Sequence, residues 1–246
     1  MKAEYYDHMG NDLTCVNAAR VSFGAQSTEL SKKDIGLIQF LARGCMAKDW
    51  NMAINDLTGL TTDEEDYAKA ENILKWAKNM PTHWTPFSHA MITLRETVPI
   101  FVARQRFKHM VGFSYNEVSR RYVDDTPEFH IPDVWRARPD GGIKQGSGGT
   151  HATNAHLKNH YAGYIEGAEA YYDALIHQGV APEQARMVLP QSMLTTYFVT
   201  GSLYAWANAF IQRSDPHAQK EIQDMAQQWN DIIEPLYPVS WKALTQ

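Results

Sequence analysis

Between Leu157 and Ile176 the apolar positions Leu157, Tyr161, Tyr164, Ile165, Ala168, Tyr171, Tyr172, Leu175 and Ile176 fall on one helical face. That spacing predicts a long amphipathic helix, and Gly179 ends it. Ser31 and Asp34 form a capping-box pattern ahead of Ile35, Ile38 and Leu41, with Gly44 as the stop. Thr62 and Glu65 repeat the pattern before a charged helix ending near Asn79, its apolar face Ile73, Leu74 and Trp76. Asp12 is the predicted N-cap of a short helix to Arg20. Met91–Val98 is rich in β-formers and predicts a strand, after which Pro99 suits the first turn of a helix to about His109. Phe129–Ile131 is expected to be extended, and Pro182 to start a short helix through Val188. Met193–Arg213 is largely apolar and predicts a buried helix. Asp215-Pro216 then caps a final helix with Ile222, Met225, Trp229, Ile232 and Ile233 inward. Together these elements predict an α+β fold, mostly helical with a small β-sheet packed against helices, in a single domain over residues 1–246.

Composition narrows the class. At 246 residues, 44% hydrophobic and 21% charged, the chain has the balance of a soluble globular domain with a sizeable core. No apolar run approaches the ~20 residues of a membrane span. The opening MKAEYYDHMGND lacks the apolar core of a signal peptide. Cys15 and Cys45 form no metal or redox spacing, so a reducing, cytoplasmic setting is expected. His156 and His160 are four apart without an adjacent Glu, so no zinc site is predicted and no metal is expected. Asp140–Thr150 holds five glycines and predicts a surface loop.

Charge changes the picture most. The chain carries a net charge of -5, yet Arg104, Arg106, Lys108, Arg120 and Arg121 cluster with His109 around one acid, Glu117. A concentrated basic site on an acidic protein favours a small anionic ligand over a long polyanion. Arg supplies a planar fork for phosphate or carboxylate and Lys a point charge. A solvated basic helix face is the plain alternative. Against it, Asn116, Glu117, Ser119, Arg121 and Tyr122 crowd hydrogen-bonding groups just after a helix-like segment, where binding loops sit.

The same stretch resembles the signature of the flavin-dependent thymidylate synthase family, Arg-His-Arg followed by Ser-x-Asn-Glu-x-Ser-x-Arg-Tyr. Ser114, Asn116, Glu117, Ser119, Arg121 and Tyr122 match its second half. Lys108-His109-Met110 stands in place of Arg-His-Arg, and the spacer to Ser114 is one residue longer. Three more segments follow in the family's order. His83-Trp84-Thr85-Pro86-Phe87-Ser88-His89 resembles His-x-Thr-Pro-Phe-x-His, and Ala185-Arg186-Met187-Val188-Leu189-Pro190 resembles Ala-Arg-x-Val-Leu-Pro. Arg213-Ser214-Asp215-Pro216-His217-Ala218-Gln219-Lys220-Glu221-Ile222 resembles Arg-x-Asp-x-His-Ala-Gln-x-Glu-Ile. The resemblance runs from Met9 to about Gln223, and segments 46–79 and 136–156 carry no motif and are expected to be insertions.

The resemblance implies reductive methylation of dUMP to dTMP, with 5,10-methylenetetrahydrofolate as carbon donor, FAD as redox intermediary and NADPH as reductant. It implies no cysteine nucleophile. It also implies a homotetramer with shared active sites, and neither nucleic acid nor membrane as partner. Arg213 is then the ring-activating catalytic residue. The implied substrate contacts are Gln105, Arg106, Lys108, Glu117, Ser119, Arg120, Arg121, Arg186 and Arg213. The implied FAD contacts are His83, Thr85, Lys108, His109, Met110, Glu117, Ser202, Tyr204 and Asn208. The alternatives are a flavoprotein of the same fold acting on another pyrimidine nucleotide, and a nucleic-acid-binding protein using residues 104–121.

Overall fold

The computed structural model describes residues 1–45, 55–60, 63–78, 82–139 and 146–246. Thr62, Asn79 and residues 140–145 of the glycine-rich loop lie outside the described residues, as does much of the 46–79 segment. The fold is α+β, mostly helical with one four-stranded sheet. Residues cluster into two compact units: Met1–Asp7, Thr93–Thr200 and Ala209–Ile232 in the first, His8–Ile92, Gly201–Asn208 and Ile233–Gln246 in the second.

The sheet belongs mainly to the first unit, with strands β1 (Lys2–Met9), β2 (Met91–Pro99), β3 (Phe113–Glu117) and β4 (Leu194–Ser202) in the order β1-β2-β4-β3. β2 and β4 share one alternating burial pattern, which is the period of a half-covered sheet. Leu94, Glu96 and Val98 of β2 and Thr195, Tyr197 and Val199 of β4 face the core. Arg95 and Thr97 face the other way, with Thr196 and Phe198. Thr93 pairs with Thr200 and Thr97 with Thr196 through hydroxyl hydrogen bonds of 2.9 and 3.0 Å, an antiparallel register.

Met193–Arg213 is thus not one helix. Its first half is β4, and only Leu203–Ser214 is helical. Thr195, Thr196, Tyr197, Phe198, Val199 and Thr200 are β-branched or aromatic, and that local preference prevails over the continuous apolar run. The long helix is as predicted, spanning Asn154–His177 with Gly179 at φ 84°. Its apolar face is only partly covered: Ile165 and Tyr172 are buried, whereas Tyr164 and Tyr171 are exposed. The helix Lys220–Ile233 begins later than Asp215-Pro216 predicts, and buries Ile222, Met225, Trp229 and Ile233.

In the second unit the Ser31–Asp34 capping box opens the helix Lys32–Ala42 as predicted. Asp34 also accepts from Arg20 and Ser27, and these bonds, led by that from Ser31, hold its carboxyl well below the usual carboxylate range. The helix Asp12–Arg20 is capped by Asn11, not Asp12. Asp12 is buried instead, accepting 2.9 and 2.7 Å hydrogen bonds from the Val239 and Ser240 N–H groups at the start of a helix not read from the sequence, Pro238–Thr245. No helix among the described residues is long and apolar enough to cross a membrane.

Candidate active site

The 104–121 stretch folds as a short helix, a turn and an edge strand. The helix Ile100–Arg106 follows β2, with Pro99 at its N-cap. Residues 107–112 then turn back, and Gly112 at φ 77° supplies the left-handed residue that carries the longer spacer into β3. The turn is clamped from below: the Tyr115 hydroxyl bonds the His109 carbonyl at 2.7 Å and the Arg106 carbonyl at 3.2 Å.

Arg106 lies apart from the other basic residues of this stretch. It is wholly buried, its Nε 3.3 Å from both Glu96 oxygens and its Nη1 2.6 Å from the Tyr115 hydroxyl. Its guanidinium also lies against the Phe113 and Trp229 rings. Glu96 in turn accepts from Tyr197 at 2.6 Å. An Arg so enclosed forms a structural ion pair.

One group of predicted residues meets at Arg213, in the last turn of Leu203–Ser214. Arg213 Nε donates to His109 Nε2 at 2.8 Å, and its Nη2 reaches the Gln105 carbonyl at 3.4 Å. Gln105 is held through its side chain by Gln219. Desolvation first, then the charges of Arg213 and Arg106, pull the His109 imidazole down to about 4. It is therefore neutral near pH 7, with its proton on Nδ1 and its Nε2 lone pair facing Arg213. Burial, then Arg106, lowers the Arg213 guanidinium from its ordinary value. Among the described residues no carboxylate lies within ion-pair distance of Arg213. A part-buried cation without a counter-charge is a site for an anion.

A second group surrounds a cavity of about 1190 Å³ floored by the outer faces of β2 and β4. It is lined by the predicted Glu117, Ser119, Arg120, Arg121 and Arg186. Glu117 accepts from Thr195 at 2.6 Å, and Arg121 Nε from its exposed position donates to Ser119 at 3.3 Å. Arg186 Nε donates to the Glu183 carbonyl at 3.2 Å, and Arg120 is already paired with Asp125 at 2.9 Å. Gln105, Lys108 and Arg213 are not among the residues lining this cavity.

Lys2 and Arg95 also line it, and sequence reasoning missed both. The period-2 pattern of β2, which puts Arg95 on the same face as Thr93 and Thr97, was the available signal. Lys2 and Arg95 are both paired with Glu4 and Arg120 with Asp125, so Arg121 and Arg186 are the lining cations with no carboxylate in ion-pair distance among the described residues, and these suit phosphate or carboxylate.

The predicted FAD contacts are unevenly available. In the second unit His83 and Thr85 are exposed and offer hydrogen-bonding groups, and in the first Lys108 is exposed and offers a cation, each of a kind that suits an anionic dinucleotide. Met110, where the family signature has a second Arg, is exposed and offers neither. Ser202 is buried and caps the Ala205 N–H at 3.2 Å. Tyr204 stacks on Trp84 and donates to the Cys45 carbonyl at 3.1 Å, while Asn208 donates to the Tyr204 carbonyl at 3.2 Å. Both cysteines are buried, and desolvation pushes the Cys15 thiol up to about 12. Among the described residues no group of three or more His, Cys, Asp or Glu is placed to hold a metal ion.

Residues 5–239 match the family described as Thymidylate synthase complementing protein. The flavin-dependent thymidylate synthase of Thermosipho africanus is 32% identical over 241 residues, covering 96% of this chain and 87% of that protein. The enzyme of the same description from Thermotoga neapolitana is 31% identical over 240 residues, covering 98% and 88%. Among solved structures, the UMP/dUMP methylase PolB from Streptomyces cacaoi bound with 5-Br UMP has a TM-score of 0.74 at 26% identity, covering 99% of this chain and 93% of that one. With 5-Br dUMP bound, the same methylase gives a TM-score of 0.73 at 25% identity, covering 99% and 94%. Sequence motifs in order, a match over nearly the whole chain and a shared fold converge on one conclusion: this chain belongs to the flavin-dependent thymidylate synthase family.

Proposed function

We propose that the protein methylates dUMP to dTMP, drawing the carbon from 5,10-methylenetetrahydrofolate and reducing equivalents from NADPH through FAD. The observation that carries this reading is Arg213, a part-buried cation that has a neutral partner and no carboxylate among the described residues. Methylation at C5 of a uracil ring needs an electron-rich C5. A thiolate adding at C6 would provide it, but both thiols are buried and Cys15 stays protonated. A guanidinium beside N3 and O2 provides it instead by stabilising the anionic ring, which drives electron density toward C5.

In this reading Arg213 activates the ring, and Glu117, Ser119, Arg121 and Arg186 hold the nucleotide in the cationic cavity. Gln105 and Lys108 are further nucleotide contacts. FAD is held by His83, Thr85, Lys108, Glu117 and Asn208, and when bound it supplies the redox chemistry. Ser202, Tyr204 and Met110 contribute little, for the reasons given above. A homotetramer in a cytoplasmic setting belongs to the same proposal. Residues grouped apart in one chain, together with exposed Met110, Val111, Tyr164, Tyr171 and Met187, support shared sites at subunit contacts.

The purified protein should show flavin absorbance and should oxidise NADPH faster when dUMP is added. A protein that stays colourless after incubation with FAD would overturn the reading. Because a solved relative is a UMP/dUMP methylase, UMP is the nucleotide to compare for turnover.

Arg121→Ala should raise the KM for dUMP by roughly ten- to a hundred-fold, the ~1.5–3 kcal/mol of a charge-assisted hydrogen bond. Saturating dUMP should restore most of the rate. Steady-state kinetics decide it, and a loss confined to kcat would remove Arg121 from nucleotide docking.

A further inference from the structure

We infer that His109 is a positioning residue for ring activation: a neutral acceptor that fixes the rotation of the Arg213 guanidinium without cancelling its charge. The inference rests on the proposed role of Arg213. An Arg side chain has four rotatable bonds, so a guanidinium that must lie along one ring edge needs a second anchor. The usual anchor is a carboxylate, which would orient the fork but also quench the field that the developing ring anion requires. Here the Nε–H is taken by His109 Nε2 at 2.8 Å and Nη2 by a backbone carbonyl at 3.4 Å. Both acceptors are neutral, so the cation keeps its full charge while two of its three nitrogens are fixed.

The backbone that carries the imidazole is itself held in place. The His109 N–H bonds the Arg106 carbonyl at 3.1 Å, and the His109 carbonyl receives the Tyr115 hydroxyl at 2.7 Å. Tyr115 is in turn bonded by Arg106, the partner of Glu96. The orientation of Arg213 thus traces back, contact by contact, to a buried ion pair.

A flavin contact at His109 and a positioning role predict different things. If His109 only held the cofactor, its loss would lower flavin content and leave the ring electronics of bound nucleotide unchanged. The probe is 5-fluorodeoxyuridylate, whose 19F shift and N3–H ionisation report the charge environment of the ring. His109→Ala, His109→Gln and Arg213→Ala are compared in the flavin-loaded protein.

We expect His109→Ala to keep its flavin and to change the KM for dUMP only a few-fold. Its kcat should fall roughly ten-fold or more, and the N3–H ionisation of the bound probe should move toward the free value, in the same direction as in Arg213→Ala. His109→Gln, whose amide oxygen can accept the same N–H, should recover much of both signals. Combining His109→Ala with Arg213→Ala should add little, because the two residues act as one unit. A His109→Ala protein with a wild-type probe signature, or with a rate loss that follows flavin loss alone, overturns the positioning role. A wild-type probe signature in Arg213→Ala overturns the activation reading itself, and the positioning role with it.

Discussion

Arg213→Ala is expected to lower turnover by on the order of a hundred-fold or more even with dUMP at saturation. The cation is needed as charge develops on the uracil ring, so more nucleotide cannot replace it. The effect should be large because the site is part-buried and no carboxylate shares the charge of Arg213 among the described residues, leaving its field undivided. Arg213→Lys should rescue little. An ammonium can restore the charge, but it cannot keep one N–H on His109, another on the Gln105 carbonyl and still present a planar edge to the ring. Flavin content has to be measured alongside, since loss of cofactor would imitate loss of activation. A variant with normal kcat and a raised KM would make Arg213 a docking residue and would end the electrostatic account of C5 activation.

Glu96→Ala should cost about 3–5 kcal/mol of folding stability, the usual effect of leaving one member of a buried pair uncompensated. Arg106 is fully buried, with its Nε on Glu96 and its Nη1 on Tyr115. With the carboxylate gone, the guanidinium keeps its desolvation cost and loses its counter-charge, and the Tyr197 hydroxyl loses its acceptor. Denaturant unfolding, read as a shift in midpoint, measures the cost. The double variant Glu96→Leu, Arg106→Met should recover much of the stability, because an apolar pair of similar volume carries no such cost. It should not recover full activity, since Tyr115 then loses the Arg106 bond that steadies the His109 turn. A Glu96→Ala protein as stable as wild type would show that the pair contributes nothing to the core.

The helices were legible wherever a local rule decided them. Ser31 with Asp34, the nine apolar positions from Leu157 to Ile176 and Gly179 each act within a turn or two of chain. The sheet was not. Lys2–Met9 alternates weakly, and its exposed Tyr5 and Tyr6 carry no clear apolar stripe. β4 ran into the helix after it without a Pro or Gly clear enough to divide them. At the site, residue types pointed to anion chemistry, but charge alone could not rank the arginines. Arg104-Gln105-Arg106 reads as one basic triplet, yet Arg104 is exposed, Gln105 is part-buried and Arg106 is enclosed by Glu96, Tyr115, Phe113 and Trp229. The partner that decides this, Glu96, sits ten residues upstream on a different element, out of reach of any motif.

The order β1-β2-β4-β3 also has a consequence for how the protein is made. β2 must wait for β4, whose first residue follows the end of β2 by 95 positions, from Pro99 to Leu194. At cellular rates of synthesis that interval lasts roughly 5–20 s, during which one edge of β2 has no native partner. A truncated chain ending at residue 190 should therefore be cleaved readily by protease across Met91–Pro99, where the chain through Gln246 resists. Arg95 and Glu96 are the charges within that unpaired strand, one on each face, and charge in an open strand disfavours aggregation before the strand is covered.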